Sequence, residues 1–345
     1  MAENSAIEWT HHTFNPWIGC TKVGPGCDNC YAADLATVRL GVKWGAGVDR
    51  RHTAASTWKQ PRAWNRKAEA SGTRYRVFCA SLADVFDNEV PAEWRAELFQ
   101  LIRETPHLDW LLVTKRIGNA AKMAEAAGGW PGNVWLGATV VNQVEADRDV
   151  VKLLSTKGPR FHFLSIEPLL GPLELYPEAD STYQMLSEWY GPDGFDETGS
   201  QPRVTRQRDL FPKIDWVIVG GESGPHARPM HPDWARSLRD QCAEAGVPFL
   251  FKQWGEFSDF DHIGMDWNDL PDRIRGRQQF IDGKAMVQIG KKRAGRLLDG
   301  VQHDGYPGDA PAKAIEARRA ETGTGSVHES AVQQAFAQTT PGDPA

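Results

Sequence analysis

Three of the chain's five cysteines lie together in one short loop that is rich in glycine and proline. Cys20, Cys27 and Cys30 have the spacing C-x6-C-x2-C, and residues 24–26, Gly-Pro-Gly, stand between the first two. Glycine and proline turn the chain tightly and let the backbone approach a bound inorganic group. The spacing therefore predicts that three thiolates converge on one point.

The ligand count distinguishes the kinds of site that this loop could form. An iron–sulfur cubane can be held by three protein thiolates, which leaves one iron open, whereas a structural zinc ion usually has four protein ligands. The other cysteines, Cys79 and Cys242, are isolated along the chain. A cluster is the favoured interpretation. A zinc loop completed by His11, His12 or a carboxylate, and reduced structural cysteines without a metal, are the alternatives.

Length and composition are typical of a soluble enzyme. The chain has 345 residues, of which 41% are hydrophobic and 24% charged, enough to bury a core in one large domain or two ordinary ones. The few cysteines and the lack of a signal-like or membrane-length apolar run predict a reducing cytoplasm and no membrane span. The net charge of -6 gives no overall attraction to nucleic acid, so binding of a polyanion would have to be local.

One segment, Arg50–Lys67, mixes basic residues with tryptophan. Its basic members are Arg50, Arg51, His52, Lys59, Arg62, Arg66 and Lys67, and its tryptophans are Trp58 and Trp64. Phosphate-bearing ligands with bases that can stack are recognised by this combination of side chains. The alternative is a solvated amphipathic helix whose tryptophans face the core.

From Arg76 onward, short apolar runs alternate with helix-like segments. The apolar runs are residues 77–80, 110–113, 134–138, 161–166, 216–219 and 249–251. The helix-like segments include residues 92–104, 119–127, 143–154 and 232–245. Such alternation indicates βα units around a buried parallel sheet. With a strand before the cysteines, about seven strands result. We therefore predict an α/β fold, a partial or full βα barrel rather than an open doubly wound sheet.

Polar or charged residues follow six of these apolar runs. They are Ser81 and Asp84, the tripeptide Thr114-Lys115-Arg116, Thr139, Glu167, the pentapeptide Gly220-Gly221-Glu222-Ser223-Gly224, and the pair Lys252-Gln253. In barrels the carboxyl ends of the strands share one face, where active sites are built. The cysteine loop follows the remaining strand, so we predict one functional face that contains all of these groups.

A series of short motifs lies between Ile7 and Gly300. They are Trp9-Thr10, Asn15-Pro16-Trp17, Gly19-Cys20, Cys27, Cys30-Tyr31-Ala32, Leu112, Thr114-Lys115-Arg116, Ser165, Glu167-Pro168, Gly220-Gly221-Glu222-Ser223-Gly224, Ala227-Arg228-Pro229 and Phe251-Lys252-Gln253-Trp254-Gly255. The cysteine loop with its successive βα units resembles the radical S-adenosylmethionine superfamily. In these details the chain resembles the phage-associated gene-product-37/68 family, a radical-SAM-like group of unassigned activity.

The resemblance implies two cofactors, a [4Fe–4S] cluster and S-adenosylmethionine. Cys20, Cys27 and Cys30 would hold the cluster, and S-adenosylmethionine would chelate the open iron. An electron from the reduced cluster would then cleave the sulfonium bond and give a 5′-deoxyadenosyl radical. A cellular electron donor of the flavodoxin or ferredoxin type is implied as a partner.

The same resemblance implies roles for the strand-end residues. Those on the cofactor side are Ser81 and Asp84 for the amine or ribose, Lys115 or Arg116 for the carboxylate, and Thr139. The candidate catalytic residues on the substrate side are Glu167, Glu222 and Lys252, with Gln253 beside them. Two alternatives stay open: Glu167 as a structural acceptor for backbone amides, and Lys115 in a structural ion pair. The superfamily has a Gly-Gly-Glu-like motif after its second strand, where this chain has residues 81–84.

These observations predict one barrel domain over residues 1–300, with a loop insertion at about 176–212 and a flexible tail over residues 301–345. The predicted function is that of a radical S-adenosylmethionine enzyme, for which a nucleotide or DNA base is an attractive substrate. The rival is a zinc- or cluster-stapled nucleic-acid-binding protein without catalysis, which would use Arg50–Lys67.

Overall fold

The structure, a computed structural model, describes residues 2–175, 214–264, 274 and 276–307. The predicted loop insertion at about 176–212 lies outside the described residues, as do positions 308–345 of the predicted tail. All structural statements below concern the described parts of the chain.

Strands and helices alternate along most of the described chain. The strands are β1 Ala2–Glu3, β2 His12–Phe14, β3 Trp17–Ile18, β4 Arg51–His52, β5 Tyr75–Cys79, β6 Leu108–Thr114, β7 Val134–Thr139, β8 Phe161–Ile166, β9 Trp216–Gly220, β10 Phe249–Gln253, β11 Phe257–Asp259, β12 Gln278–Ile281, β13 Lys284–Gln288, β14 Leu297–Leu298 and β15 Val301–Gln302. The helices are α1 Tyr31–Asp34, α2 Ala55–Trp58, α3 Gln60–Ser71, α4 Ala92–Arg103, α5 Ile117–Ala126, α6 Gln143–Ser155, α7 Pro232–Ala245, α8 Phe260–Ile263 and α9 Lys291–Ala294.

One sheet of eight strands carries the fold, in the order β1-β2-β5-β6-β7-β8-β9-β10. β1 is antiparallel to β2, and each later strand runs parallel to its neighbour. Seven parallel strands that follow one another in chain order form a half barrel. The predicted α/β fold with a partial barrel is therefore confirmed, and no pair between β10 and β2 closes the barrel among the described strands.

The central strands are continuous apolar runs because both of their faces are covered. Every residue of β7 and β9 is buried, and β6 has a single half-buried residue. A strand buried on both faces loses the alternation of apolar and polar residues, which is why such runs indicate a parallel sheet. The predicted bounds of strand 161–166 and helix 232–245 agree with β8 and α7.

The strand predicted before the cysteines is divided in the structure. β2 ends at Phe14 and belongs to the main sheet, whereas β3 pairs antiparallel with β4 outside it. Pro16 stands between them and has no N–H to donate to a ladder, so the main-sheet strand stops before it. The helix predicted after the cysteines is present as α1 and continues as a π-helical turn over Leu35–Arg39.

The basic and aromatic segment Arg50–Lys67 packs on the sheet through its tryptophans. Trp58 and Trp64 are buried, and Trp64 stacks on His12 with ring centroids 4.4 Å apart. Several of its cations have carboxylate partners from distant elements, namely Arg50 with Asp87, His52 with Glu97, Arg62 with Glu104 and Lys67 with Glu3. These contacts agree with the packing alternative, and the contact with nucleic acid stays a prediction.

Residues 301–307, predicted to begin a flexible tail, pack against the sheet instead. β15 pairs with β14, and Gly305 N donates to Phe249 O at 3.0 Å. The Trp216 indole donates to Gly305 O at 2.7 Å. The ordered fold thus extends beyond the predicted boundary at residue 300. None of the helices in the described chain has the length and apolar character needed to cross a bilayer.

Candidate functional site

A cavity of about 170 Å³ opens at the carboxyl ends of the parallel strands. The predicted site residues in its wall are Cys20, Cys27, Cys30, Ser81, Asp84, Lys115, Arg116, Thr139, Glu167 and Lys252. They come from the cysteine loop and from the ends of β5, β6, β7, β8 and β10. One cavity thus contains the three cysteines, all of the predicted cofactor-side residues, Glu167 and Lys252, whereas Glu222 and Gln253 are not part of its wall.

Two glycines let the cysteine loop lie directly on the sheet edge. A Cβ on Gly26 would lie 2.7 Å from Val141 Cγ1 and 3.2 Å from Lys115 Cε. A Cβ on Gly24 would lie 2.5 Å from Glu145 Oε1. A side chain at Gly26 would crowd Val141, and one at Gly24 would have to displace the Glu145 carboxylate, so glycine at both positions lets the loop approach this closely. The Gly-Pro-Gly run therefore seats the cysteines against the ends of β6 and β7.

An ion pair fastens the other side of the cysteine loop. Arg228 donates to the Glu222 carboxylate through two nitrogens and also to Pro25 O at 2.8 Å. Asn29 Nδ2 donates to Glu222 Oε2 at 3.0 Å. Burial alone would raise the pKa of Glu222, but the hydrogen bonds from Arg228 and Asn29 hold it below its usual range. Glu222 thus acts on the loop from outside the cavity wall, and its predicted catalytic role stays a prediction.

The sequence alone predicts no role for Arg228 or Asn29. Arg228 belongs to the motif Ala227-Arg228-Pro229, which lies a few residues after Glu222. This proximity in sequence was the one signal that could have indicated their contact. The glycine before Glu222 has a packing role, because a Cβ on Gly221 would lie 1.9 Å from Trp254 O.

Cys20 lies beside a buried ion pair. Arg116 Nη1 donates to Cys20 Sγ at 3.4 Å and to Asp84 Oδ2 at 3.1 Å, and Nη2 donates to Thr21 O at 2.7 Å. Burial and the Asp84 charge raise the pKa of the Cys20 thiol to about 11, against the opposing effect of Arg116. A metal that binds this thiol must therefore displace its proton.

Both oxygens of Asp84 are engaged within the protein. Oδ1 accepts hydrogen bonds from Phe86 N at 2.9 Å and Thr114 Oγ1 at 2.8 Å, and Oδ2 accepts from Lys115 N at 3.1 Å as well as from Arg116. These contacts assign Asp84 and Arg116 to the support of Cys20. Their predicted contacts with S-adenosylmethionine stay predictions that the present geometry does not favour.

Lys115 is a cation in the cavity wall that lacks a described partner. Its ammonium makes no hydrogen bond or ion pair with any residue in the described ranges. The alternative role of Lys115, in a structural ion pair, therefore has no support among these residues. Ser81 lies across the same wall, where its hydroxyl accepts from Asn15 Nδ2 at 2.9 Å. Its proton remains available to a ligand. Thr139 is buried at the end of β7 and completes this side of the cavity.

Glu167 and Lys252 form an ion pair in the opposite part of the wall. Lys252 Nζ lies 3.0 Å from Glu167 Oε1, and the pair spans the end of β9. A Cβ on Gly220 would lie 2.6 Å from Glu167 Oε1, so glycine at that strand end makes room for the carboxylate. Burial opposes the charge of Lys252, but Glu167 and then Tyr31 raise its pKa above the ordinary value.

Aromatic residues line a further part of the cavity. Trp9, Trp44 and Phe78 belong to the wall, and the Trp9 and Phe78 rings lie 4.6 Å apart between centroids. Trp9 is 3% exposed, and its Nε1 has no hydrogen-bond partner in the described chain. The cavity therefore combines polar groups with flat apolar surfaces that suit a planar ligand.

The donor set fits an iron–sulfur cluster. Three cysteines from one loop line one cavity, beside a glycine backbone and the buried N–H groups of Arg116. No group of three or more His, Cys, Asp or Glu side chains among the described residues, the three cysteines included, is arranged to hold a metal ion, so the convergence of the three thiolates on one point stays a prediction. His11 and His12, the alternative zinc ligands, are not part of the cavity wall. His11 Nδ1 instead accepts from Arg76 N at 2.8 Å.

Comparison with known proteins gives a family and distant structural likenesses. No curated protein matches the chain. A mutant of spore photoproduct lyase with bound AdoMet and dinucleoside spore photoproduct is 11% identical, with 91% of this chain and 73% of that chain covered and a TM-score of 0.36. Another mutant of that enzyme is also 11% identical over the same shares, with a TM-score of 0.37. These likenesses are too distant to support an argument. A family model described as a protein of unknown function, DUF5131, matches residues 4–307, and the chain belongs to that family.

Proposed function

We propose that the protein is a radical S-adenosylmethionine enzyme that holds a [4Fe–4S] cluster on Cys20, Cys27 and Cys30. The observation that carries the proposal is the shared cavity. In its wall the three cysteines stand with the Lys115 ammonium, which has no partner among the described residues, and with the Glu167–Lys252 ion pair, where parallel strands end. The resemblance of the motifs to the phage-associated gene-product-37/68 family belongs to the same proposal.

The cofactor side of the cavity would be supplied by this chain as follows. A reduced [4Fe–4S] cluster, when bound, supplies the electron that cleaves a carbon–sulfur bond of S-adenosylmethionine. The Lys115 ammonium is available to a carboxylate such as that of the methionine group, because no described carboxylate neutralises it. The Ser81 hydroxyl can donate to a ribose or carboxylate oxygen, since Asn15 already donates to it.

The substrate side would contain the ion pair and the aromatic wall. Glu167 and Lys252 offer an acceptor and a donor at one place, which can orient a polar substrate. Trp44 and Phe78, which are only half-buried, offer flat surfaces on which a base can stack. We therefore extend the proposal to a nucleotide or DNA base as substrate. An electron donor of the flavodoxin or ferredoxin type, which would reduce the cluster, is also part of the proposal.

The test is anaerobic purification and reconstitution with iron and sulfide. We expect about four irons and four sulfides per chain, as a single cubane requires. After reduction with dithionite, addition of S-adenosylmethionine should release 5′-deoxyadenosine, detected by mass spectrometry. A variant with Cys20, Cys27 and Cys30 all replaced by Ala is the control and should give neither iron nor product. One tightly bound zinc and no iron in the wild type would instead support the nucleic-acid-binding alternative.

A further inference from the structure

The three cysteines differ in their surroundings. Arg116 Nη1 donates to the Cys20 sulfur at 3.4 Å. No side-chain donor to the sulfur of Cys27 or Cys30 is found in the described chain. In the described chain, Cys20 is thus the one of these three cysteines whose sulfur accepts a hydrogen bond from a positively charged side chain.

The Arg116 guanidinium is held firmly in its position. Asp84 Oδ2 lies 3.1 Å from Nη1, Thr21 O lies 2.7 Å from Nη2, and Asp87 Oδ1 lies 3.8 Å from Nη2. The Arg116 side chain is 9% exposed. Arginine is not deprotonated in proteins, so the charge beside the sulfur is permanent.

A second arginine packs against Gly19 and the Thr21 side chain, the two neighbours of Cys20. Arg50 Nη2 donates to Thr21 Oγ1 at 2.6 Å, and Arg50 Nε donates to Asp87 Oδ2 at 2.9 Å. The Arg50 side chain is fully buried, and its Cδ lies 3.0 Å from the position of a Cβ on Gly19. The residues on both sides of Cys20 are therefore packed against buried arginines, which limits movement of its sulfur away from Arg116.

We propose that Arg116 is a positioning residue that raises the reduction potential of the cluster through Cys20. The proposal rests on the proposed function. A reduced cluster carries more negative charge than an oxidised one, and a hydrogen bond to a ligand sulfur stabilises that charge. The charges of Asp84 and Asp87 oppose the charge of Arg116 near Cys20, so the proposed effect depends on the hydrogen bond from Arg116 Nη1 to the sulfur.

The test compares two arginine variants of the reconstituted full chain. Arg116→Lys keeps a positive charge but lacks the second nitrogen, so it cannot serve Asp84, Thr21 and Cys20 together. Arg103→Lys is the matched control, because Arg103 also donates to several backbone oxygens, those of residues 127–129, and makes no described contact with the cysteine loop. The midpoint potential is measured by redox titration followed by electron paramagnetic resonance, in the absence of S-adenosylmethionine.

We expect both variants to retain iron and only Arg116→Lys to have a lower potential. A loss of roughly tenfold in the equilibrium constant for reduction corresponds to about 59 mV for one electron. If Arg116→Lys does not fold, Arg116→Met combined with Asp84→Asn is compared with Asp84→Asn alone, so that only Arg116 differs, and the double variant should have the lower potential.

The outcomes separate the two proposals. A wild type that binds no cluster overturns the proposed function and this inference with it. Clusters of equal potential in the wild type and the Arg116 variants overturn the role of Arg116 alone. Loss of the cluster from the Arg116 variants, with retention in Arg103→Lys, would assign Arg116 to cluster binding and would also contradict the inference.

Discussion

The Arg228 guanidinium meets the Glu222 carboxylate through two nitrogens, with Nε 2.9 Å from Oε2 and Nη2 2.6 Å from Oε1. Arg228 also reaches Asp28 and Pro25 O, so the pair joins the loop after β9 to the cysteine loop. Glu222 is buried, which makes the pair sensitive to the loss of either partner. The position of the three cysteines therefore depends on a carboxylate that lies outside their cavity.

Replacement of Glu222 by Gln should reduce the free energy of unfolding at pH 7 by about 1.5–3 kcal/mol, the range for hydrogen bonds to charged groups. The folded-state pKa of Glu222 is lowered, so its contribution is present above the unfolded pKa of about 4.3 and is lost as the pH falls through the folded value. The difference between wild type and E222Q should therefore shrink at pH 3.5. Urea unfolding at the two pH values measures it.

Glu125→Gln is the control for this comparison. Glu125 is exposed on α5 and has no described partner, so its replacement should change stability by less than about 0.5 kcal/mol. Equal stability of E222Q and the wild type at pH 7 would show that the Glu222–Arg228 pair does not fasten the loop.

The five cysteines should divide into two groups by cluster content. Single replacements of Cys20, Cys27 or Cys30 by Ala should each abolish the visible absorbance of the reconstituted cluster. Cys79→Ala and Cys242→Ala should retain it, because both thiols are fully buried in the hydrophobic core, where burial raises their pKa and leaves no access to the cavity. A folded Cys79→Ala or Cys242→Ala protein that lacks the cluster would contradict the ligand assignment.

Lys115→Met should weaken S-adenosylmethionine binding while the iron content stays unchanged. Loss of one ion pair to a carboxylate in a half-buried site costs about 1–3 kcal/mol, or roughly tenfold to a hundredfold in Kd. Isothermal titration calorimetry with the reconstituted, oxidised protein measures the affinity. Lys122→Met, an exposed lysine on the next helix, is the matched control and should bind as the wild type does. Equal affinity in K115M would exclude Lys115 as the anchor of the carboxylate.

The sequence was sufficient to predict the sheet and the shared cavity because both follow from periodicity. Strands such as β7 and β9 are buried on both faces and so are visible as continuous apolar runs. Once parallel strands are assigned, their carboxyl ends must meet. The residue after each run, for example Lys115 or Glu167, is then placed at the cavity without further information.

The partners of those residues could not be predicted in the same way. Asp84 and Arg116 follow different strands, and nothing local in the sequence shows that they bind each other rather than a ligand. The same holds for Arg62, whose partner Glu104 ends another helix. Whether a basic side chain is free or paired with a carboxylate depends on which loops lie next to each other. Tertiary packing decides this, and local sequence does not show it.

Gly26→Ala should displace the cysteine loop because of space alone. The backbone at Gly26 has no positive φ that would exclude alanine, but the new Cβ would lie 2.7 Å from Val141 Cγ1. Overpacking of this kind costs about 1–3 kcal/mol, and we expect iron to be lost from the reconstituted protein several-fold faster on challenge with a chelator.

Gly132→Ala, where no atom lies within 4 Å of the added Cβ, is the control and should retain iron as the wild type does. Val141→Ala added to Gly26→Ala removes the obstructing methyl group and should restore retention. If the double variant loses iron as fast as Gly26→Ala alone, contact with Val141 is not what positions the loop.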